Sequence, residues 1–260
     1  ARKNNVELSL DLRRYNRRID HNGFELNRVF DIYSKVNILN NPKNFSYINI
    51  KEIFNKIDIT YSNFKEQHFH YTYEIQDIPK HSLLNGYWQS ELYFKGYSQE
   101  IREIFSFFNK LDKKNLLIAN DIKKNDSISI HIRRGDYLLK QNYNLNQDLR
   151  DYYIKAIEES SKYFNNPKYF IFTDDPLWVT ENFIVDYSHI IVDVNHGAKS
   201  FFDMYLMSLC KANIIANSSF SWWGAWLNNK QDKIVYAPNN WFKDKSICTD
   251  DLLPNSWKAI

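Results

Sequence analysis

Cysteine is scarce in this chain: Cys210 and Cys248 are the only two among 260 residues, which excludes a metal site built on cysteine. One disulfide could form, but in a chain of this size two free thiols in a reducing cytoplasm are the expectation. Long apolar runs are also missing. No stretch reaches the roughly 20 apolar residues of a membrane span, and no charged, apolar and small-residue leader opens the sequence, so a soluble, cytoplasmic protein is expected. Charge of one sign is not in excess either. The 34 basic and 31 acidic residues leave a net charge of +3, which gives no support to nucleic-acid binding. No internal repeat is found.

What is present is enough apolar sequence for one large core or two modest ones: 43% hydrophobic residues against 25% charged. Aromatic residues make up 17%, with 18 Tyr, 18 Phe and 7 Trp. Flat rings suit the apolar faces of sugars, although most of these rings must be ordinary core. The most basic cluster, Arg13-Arg14 with Arg17-Arg18, has helical spacing. Its first reading is a solvated helix face, and its second is peripheral contact with an anionic membrane surface.

The pattern divides near residue 125. From there on, short apolar runs predict strands at Ser127 to Ile132, Tyr169 to Phe172, Ile190 to Asp193, Asn213 to Ala216 and Lys233 to Tyr236. Helical segments alternate with them: Leu149 to Phe164, Pro176 to about Phe183, Ser200 to Lys211 and Phe220 to Asn228. This predicts a doubly wound parallel sheet of α/β class. The first half is less regular. Val6 to Leu10 reads as a strand, Glu25 to Ile32 and Lys51 to Ile57 as helices, Leu92 to Phe108 as a long helix, and Asn37 to Asn49 as a surface loop.

The strand Ile128-Ser129-Ile130-His131-Ile132 runs into Arg133-Arg134-Gly135-Asp136-Tyr137. Alternation places the three isoleucines on one face and Ser129, His131 and Arg133 on the other, and Gly135 permits a sharp exit. Two guanidinium forks at a strand end suit a diphosphate, since each can donate paired hydrogen bonds to phosphate oxygens. Ligands of open α/β sheets bind beyond the carboxyl ends of the strands. Three further segments fall there: Phe172-Thr173-Asp174-Asp175-Pro176, the stretch through His196-Gly197 to Asp203, and Asn217-Ser218-Ser219-Phe220-Ser221. The last offers hydroxyls and amides at a helix start, as a phosphate cradle or as a plain helix cap. Asp203 lies among apolar residues and needs a donor, which a guanine edge, a lysine or a backbone amide could supply. Asp174 and Asp175 could hold a divalent metal. The following proline favours a first helical turn, where carboxylates are stabilised without one.

The motifs His131-Ile132-Arg133-Arg134-Gly135-Asp136-Tyr137, Gly86-Tyr87-Trp88-Gln89-Ser90, Phe172-Thr173-Asp174-Asp175-Pro176 and Asn217-Ser218-Ser219-Phe220-Ser221-Trp222-Trp223-Gly224-Ala225-Trp226 together resemble the bacterial α-1,2-fucosyltransferases (glycosyltransferase family 11). His21-Asn22-Gly23-Phe24-Glu25-Leu26 is similar to that family's N-terminal half. The resemblance implies a GT-B enzyme of two facing Rossmann-like domains, with 1–125 on the acceptor side and 126–260 binding GDP-fucose. It implies a metal-independent, inverting transfer of L-fucose to the 2-hydroxyl of a terminal galactose in an oligosaccharide or glycolipid, with a lactose-like sugar, a lipid-linked O-antigen or capsule intermediate and other galactosides all open as acceptor. His131 would touch ribose or base, Arg133 and Arg134 the phosphates, and Asp203 the guanine. Ser218, Ser219, Phe220 and Ser221 would cap the phosphates. The family opens with a strand and a Gly-Gly-Leu-Gly-Asn-Gln loop that these residues do not contain. Ala1-Arg2-Lys3 resembles the end of the helix that follows, so the first domain is expected to lack its first βα unit.

Such a transfer needs a base for the attacking hydroxyl and charge stabilisation for the departing diphosphate. Asp136 is the candidate base and Arg134 the candidate stabiliser. The competing role for Asp136 is to orient Arg134, because a salt-bridged carboxylate is a weak base. Other fucosyl linkages such as α-1,6, or a GDP-sugar-binding or glycan-binding protein without activity, remain alternatives.

Overall fold

A computed structural model of the chain describes residues 8, 10, 23–30, 32, 62–80, 82–139, 142–145, 148–183 and 185–260. The chain forms two compact units, Ala1–Phe108 and Asn109–Ile260.

In the first unit α1 (Leu26–Phe30) buries Val29 and Phe30, and the Phe30 ring packs 5.2 Å from Phe105 and 5.0 Å from Phe107. Strands β1 (Ser62–Lys65) and β2 (Ser82–Asn85) pair in parallel, with Ser62 opposite Ser82. The long helix expected over 92–108 is broken. Short 3-10 turns at Glu91–Tyr93 and Lys95–Tyr97 precede α2 (Ser98–Ile104). Phe94 and Tyr97 take non-helical φ of −137° and −127°, and Gly96 between them offers no helix propensity. The Tyr93 ring is drawn instead to Tyr71 and Trp88, at 4.9 and 5.5 Å. The expected helix 51–57, loop 37–49 and basic cluster 13–18 lie outside the described residues, as do most of 6–10 and the opening residues.

The second unit holds α3 (Lys113–Lys124), β3 (Asp126–Ile132), α4 (Arg150–Ser161), β4 (Pro167–Thr173), α5 (Pro176–Asn182), β5 (His189–Val192), α6 (Phe201–Leu209), β6 (Ala212–Ile214), α7 (Ser219–Leu227), β7 (Ile234–Ala237) and β8 (Lys258–Ala259). Its six strands are all parallel, in the order β5-β4-β3-β6-β7-β8. All five strands read from apolar runs are there, and the sheet is α/β as expected. The compact unit also takes in α3, a helix not read from the sequence, which lies before the expected division at 125. Asp112 caps α3 through the amide of Asn115 at 3.0 Å, and Ala119 and Ile122 are fully buried with Phe170, Phe172, Leu206 and Met207.

The isoleucines of β3 point to the opposite layer, against Tyr152, Tyr153, Ala156 and Ile157 of α4. Helices thus cover both faces, which is why the strands read as nearly continuous apolar runs. Each such side chain contributes about 1.5–3 kcal/mol on burial. Ser129, on the α3–α6 side, is satisfied by the Asn213 amide at 2.7 Å. The chain winds from β3 through β4 to β5, then returns to β6 on the other flank of β3. The carboxyl ends of β3 and β6 therefore flank a topological switch point, the place where such sheets bind ligands.

Candidate functional site

β3 delivers Arg133 and Arg134 to its carboxyl end, and the loop that follows is pinned by one carboxylate. Asp174, just past β4, accepts from the Arg134 amide at 2.9 Å and the Gly135 amide at 3.1 Å. It also pairs with the Arg133 guanidinium at 2.9 Å. Gly135 is required by this closeness: a Cβ there would sit 2.7 Å from Asp174 Oδ2. Its φ of −33° needs no glycine, so approach and not backbone freedom decides the residue.

The arginines are held differently. Arg133 lies between Asp174 and Asp136, with 2.7 Å to the latter. Arg134 bonds Asp175 at 3.2 Å and rests 3.7 Å over the Trp178 ring, a stacked guanidinium geometry that lysine could not reproduce. Asp175 also caps α5 through the Trp178 amide at 3.2 Å, the helix-start role expected for the pair, whereas Asp174 is turned to the arginine loop instead. The arrangement corrects one expectation: Asp136 pairs with Arg133, not Arg134, because the 3-10 turn Asp136–Leu138 carries its carboxylate back over the first arginine.

His131 is buried at the end of β3. Burial and the nearby Arg133 charge bring its pKa down to about 3, so its imidazole is neutral at working pH. Its ring Nδ1 is buried with no hydrogen-bond partner among the described residues, and its ring centroid is 5.6 Å from that of Phe220. Tyr137 spans the switch point. Its hydroxyl donates to the Asn217 carbonyl at 2.9 Å and engages Ser218, and burial holds its pKa up at about 12.

Ser218 is the N-cap residue of α7 with no side-chain cap bond, and Ser219 opens the helix, exposed. Ser221 is fully buried, and its hydroxyl donates back to the Ser218 carbonyl at 3.3 Å. Its hydroxyl is thus part of the helix start, leaving the free α7 amides as the donors there. Of the tryptophans that follow, Trp222 and Trp226 are core. Trp222 donates to the Leu252 carbonyl at 2.9 Å and packs on Trp226 and Trp257.

Asp203 sits in the first turn of α6, 8% exposed. Burial raises its pKa to about 7. Asn195 donates to its Oδ1 at 2.7 Å, and no bond among the described residues joins it to the arginines. The geometry thus gathers His131, Arg133, Arg134, Asp136, Ser218, Ser219 and Phe220 around the β3/β6 ends, with Asp203 on α6 beside the β5 end.

Residues 26–260 match the family described as Glycosyl transferase family 11. The chain belongs to that family. It is 36% identical to the alpha-1,2-colitosyltransferase of Escherichia coli over 266 aligned positions, 98% of this chain and 89% of the relative. It is 39% identical to the O-antigen biosynthesis glycosyltransferase WbnK of Escherichia coli over 134 positions, 51% of this chain and 44% of that relative. This family 11 chain is a glycosyltransferase, the coarse activity that the motifs implied, and it uses a sugar-nucleotide donor and a glycan acceptor. Among the described residues no helix is long and apolar enough to cross a membrane.

The sequence placed Asp174 at the crevice only as a metal ligand or helix-start carboxylate, and it assigned no site role to Tyr137, Trp178 or the pair Asn115 and Asn195. Only Asp174 carried a usable signal, as an acidic residue directly beyond a predicted strand. Tyr137, three positions after Arg134, read as an ordinary ring until its bond across the switch point was seen.

Proposed function

We propose that this family 11 enzyme transfers L-fucose from GDP-fucose to the 2-hydroxyl of a terminal galactose, with inversion, on an O-antigen-type oligosaccharide or glycolipid. The observation that carries the reading is the pinned Arg133-Arg134-Gly135 loop, joined through Tyr137 to the start of α7 at the switch point. Guanidinium groups on one side and free helix amides on the other match the charge and breadth of a diphosphate. His131, neutral and with an unpartnered ring nitrogen, is suited to a ribose hydroxyl or a base. Asp203 is suited to the donors of a guanine edge. The relatives' names support an α-1,2 linkage and an O-antigen setting.

In this reading the donor's phosphate oxygens displace carboxylates from the guanidinium forks, the arginines and the α7 amides then stabilise the departing GDP, and no metal is called for. Asp136 is the proposed base. Its ion pair with Arg133 supports an orienting role more directly, and the two roles are separable by experiment. A second reading, transfer of colitose from its nucleotide donor, is favoured by the 36% identity with the colitosyltransferase.

Incubation with GDP-fucose or the colitose donor, with and without EDTA, against a panel of β-galactosides should give an α-1,2-linked product that EDTA does not suppress. Arg134→Ala should lower kcat/KM by about a hundredfold or more, on the scale of a lost oxyanion donor. Full activity of Arg134→Ala would sink the phosphate role, and near-full turnover of Asp136→Asn would assign Asp136 to orientation alone.

A further inference from the structure

Behind Asp203 lies a chain of buried polar side chains that the transfer chemistry does not use. Asn195, 6% exposed, donates one amide hydrogen to Asp203 Oδ1 at 2.7 Å and the other to Asn115 Oδ1 at 2.8 Å. Asn115, 1% exposed, donates in turn to Asn195 Oδ1 at 2.8 Å and to Asp112 Oδ1 at 3.1 Å. The two amides form a reciprocal pair with a carboxylate at each end. Carboxylates only accept, so both ends demand an N–H, and the pair has one orientation that satisfies every atom. Turning Asn195 over would set its carbonyl against Asp203 and leave two buried acceptors facing each other, which the fold does not tolerate cheaply.

The far end is anchored. Asp112 is the N-cap of α3 and pairs with Lys199 at 3.1 Å, so the capping of one helix sets the polarity of the whole chain. At the near end, Asp203 Oδ2 meets no protein donor among the described residues. We propose that Asn195, fixed by Asn115, is the positioning residue that presents Asp203 as a pure acceptor to a purine edge carrying both a ring N–H and an exocyclic amine, and thereby sets selection of a guanine nucleotide. This rests on the reading of the site as a GDP-sugar site.

The charge state of Asp203 makes the role measurable. Burial raises its pKa to about 7, the Asn195 bond opposes that rise, and the Asp193 charge adds to it. The groups around it are Asp193 and His196, paired at 3.1 Å beyond β5, and the Lys199–Asp112 pair. α7, which packs on α6, brings no titratable side chain. A protonated Asp203 would lose acceptor capacity, so guanine preference should fade as pH falls through about 7.

The test is calorimetric binding of GDP and IDP, which lacks the exocyclic amine, to the whole chain between pH 5.5 and 9. Wild type should prefer GDP by about tenfold at high pH, the worth of one charged hydrogen bond. Asp203→Asn should erase that preference at every pH. Asn195→Ala should keep it but move its midpoint upward by about one pH unit, and Asn115→Ala by a smaller step in the same direction. If Asn195→Ala yields no folded protein, Asn195→Ser, whose hydroxyl cannot reach both partners, should show an intermediate shift. Loss of preference in Asp203→Asn with unmoved midpoints in both asparagine variants would overturn the positioning role alone. Equal binding of GDP and IDP by wild type would overturn the guanine reading itself.

Discussion

Replacing Asp174 by asparagine changes a carboxylate into an amide of nearly the same shape and tests what holds the arginine loop. The native carboxylate accepts two successive backbone N–H groups and one guanidinium. The amide keeps one acceptor oxygen and turns its NH2 toward the other backbone donor. One charge-assisted bond, worth about 1.5–3 kcal/mol, is lost. The ion pair with Arg133 adds little, about 0–1 kcal/mol, because both side chains are about a quarter exposed. A total near 2 kcal/mol corresponds to a fall in melting temperature of about 4–8 °C. The loop should also lose its fixed geometry, so GDP affinity should fall severalfold in calorimetry. Asp136→Asn touches no backbone amide of the loop and should leave the melting temperature within about 2 °C. Equal melting temperatures and equal GDP affinities for Asp174→Asn and wild type would refute the pinning argument.

Tyr137→Phe should strip the buried Asn217 carbonyl of its donor and cost about 1–2 kcal/mol, read as a lower urea midpoint. Asp203 is protonated more readily in the folded chain, with a pKa raised from 3.8 to about 7. Its contribution to stability is therefore full below pH 4 and lost as pH rises through 7, on the order of 4 kcal/mol at most. Asp203→Asn should flatten that part of the stability–pH curve measured by denaturant titration, and an unchanged slope between pH 5 and 8 would count against it. Cys210 is fully buried with its thiol pushed up to about 12, whereas Cys248 is half-buried. A thiol reagent at pH 8 should therefore label one site in the native protein and two in denaturant, as mass spectrometry of the peptides would show.

The parts of this fold legible in the sequence were those whose signal is local. The strands of the second unit are short apolar runs because both faces of the sheet are covered, and Pro176 marks the start of α5. α3 escaped notice because its buried stripe is interrupted by Asn115, a polar residue that is buried for its hydrogen bonds and not for its surface. The helix expected at 92–108 failed because the Tyr93 ring packs on the Tyr71 and Trp88 rings and Gly96 interrupts the run. The site shows the same division. Arg133 and Arg134 announce themselves, but the carboxylate that holds them is separated by 40 positions, a pairing that only the parallel register of β3 and β4 creates. The partner of Asp136 was misjudged for a smaller reason, since adjacent arginines diverge once the strand ends.

Counting formal charges at the arginine loop, Arg133 and Arg134 are opposed by Asp136, Asp174 and Asp175, so the cluster sums to −1. It is no open electropositive funnel. A free phosphate ion has little long-range inducement to enter, and association of the donor should depend weakly on ionic strength. Discrimination then falls to short-range fit, in which a ligand must exchange its oxygens for carboxylates already seated on the guanidinium forks. A transferase built this way would resist inhibition by simple anions while still releasing its nucleotide product, because the protein carries its own replacement for the departing charge.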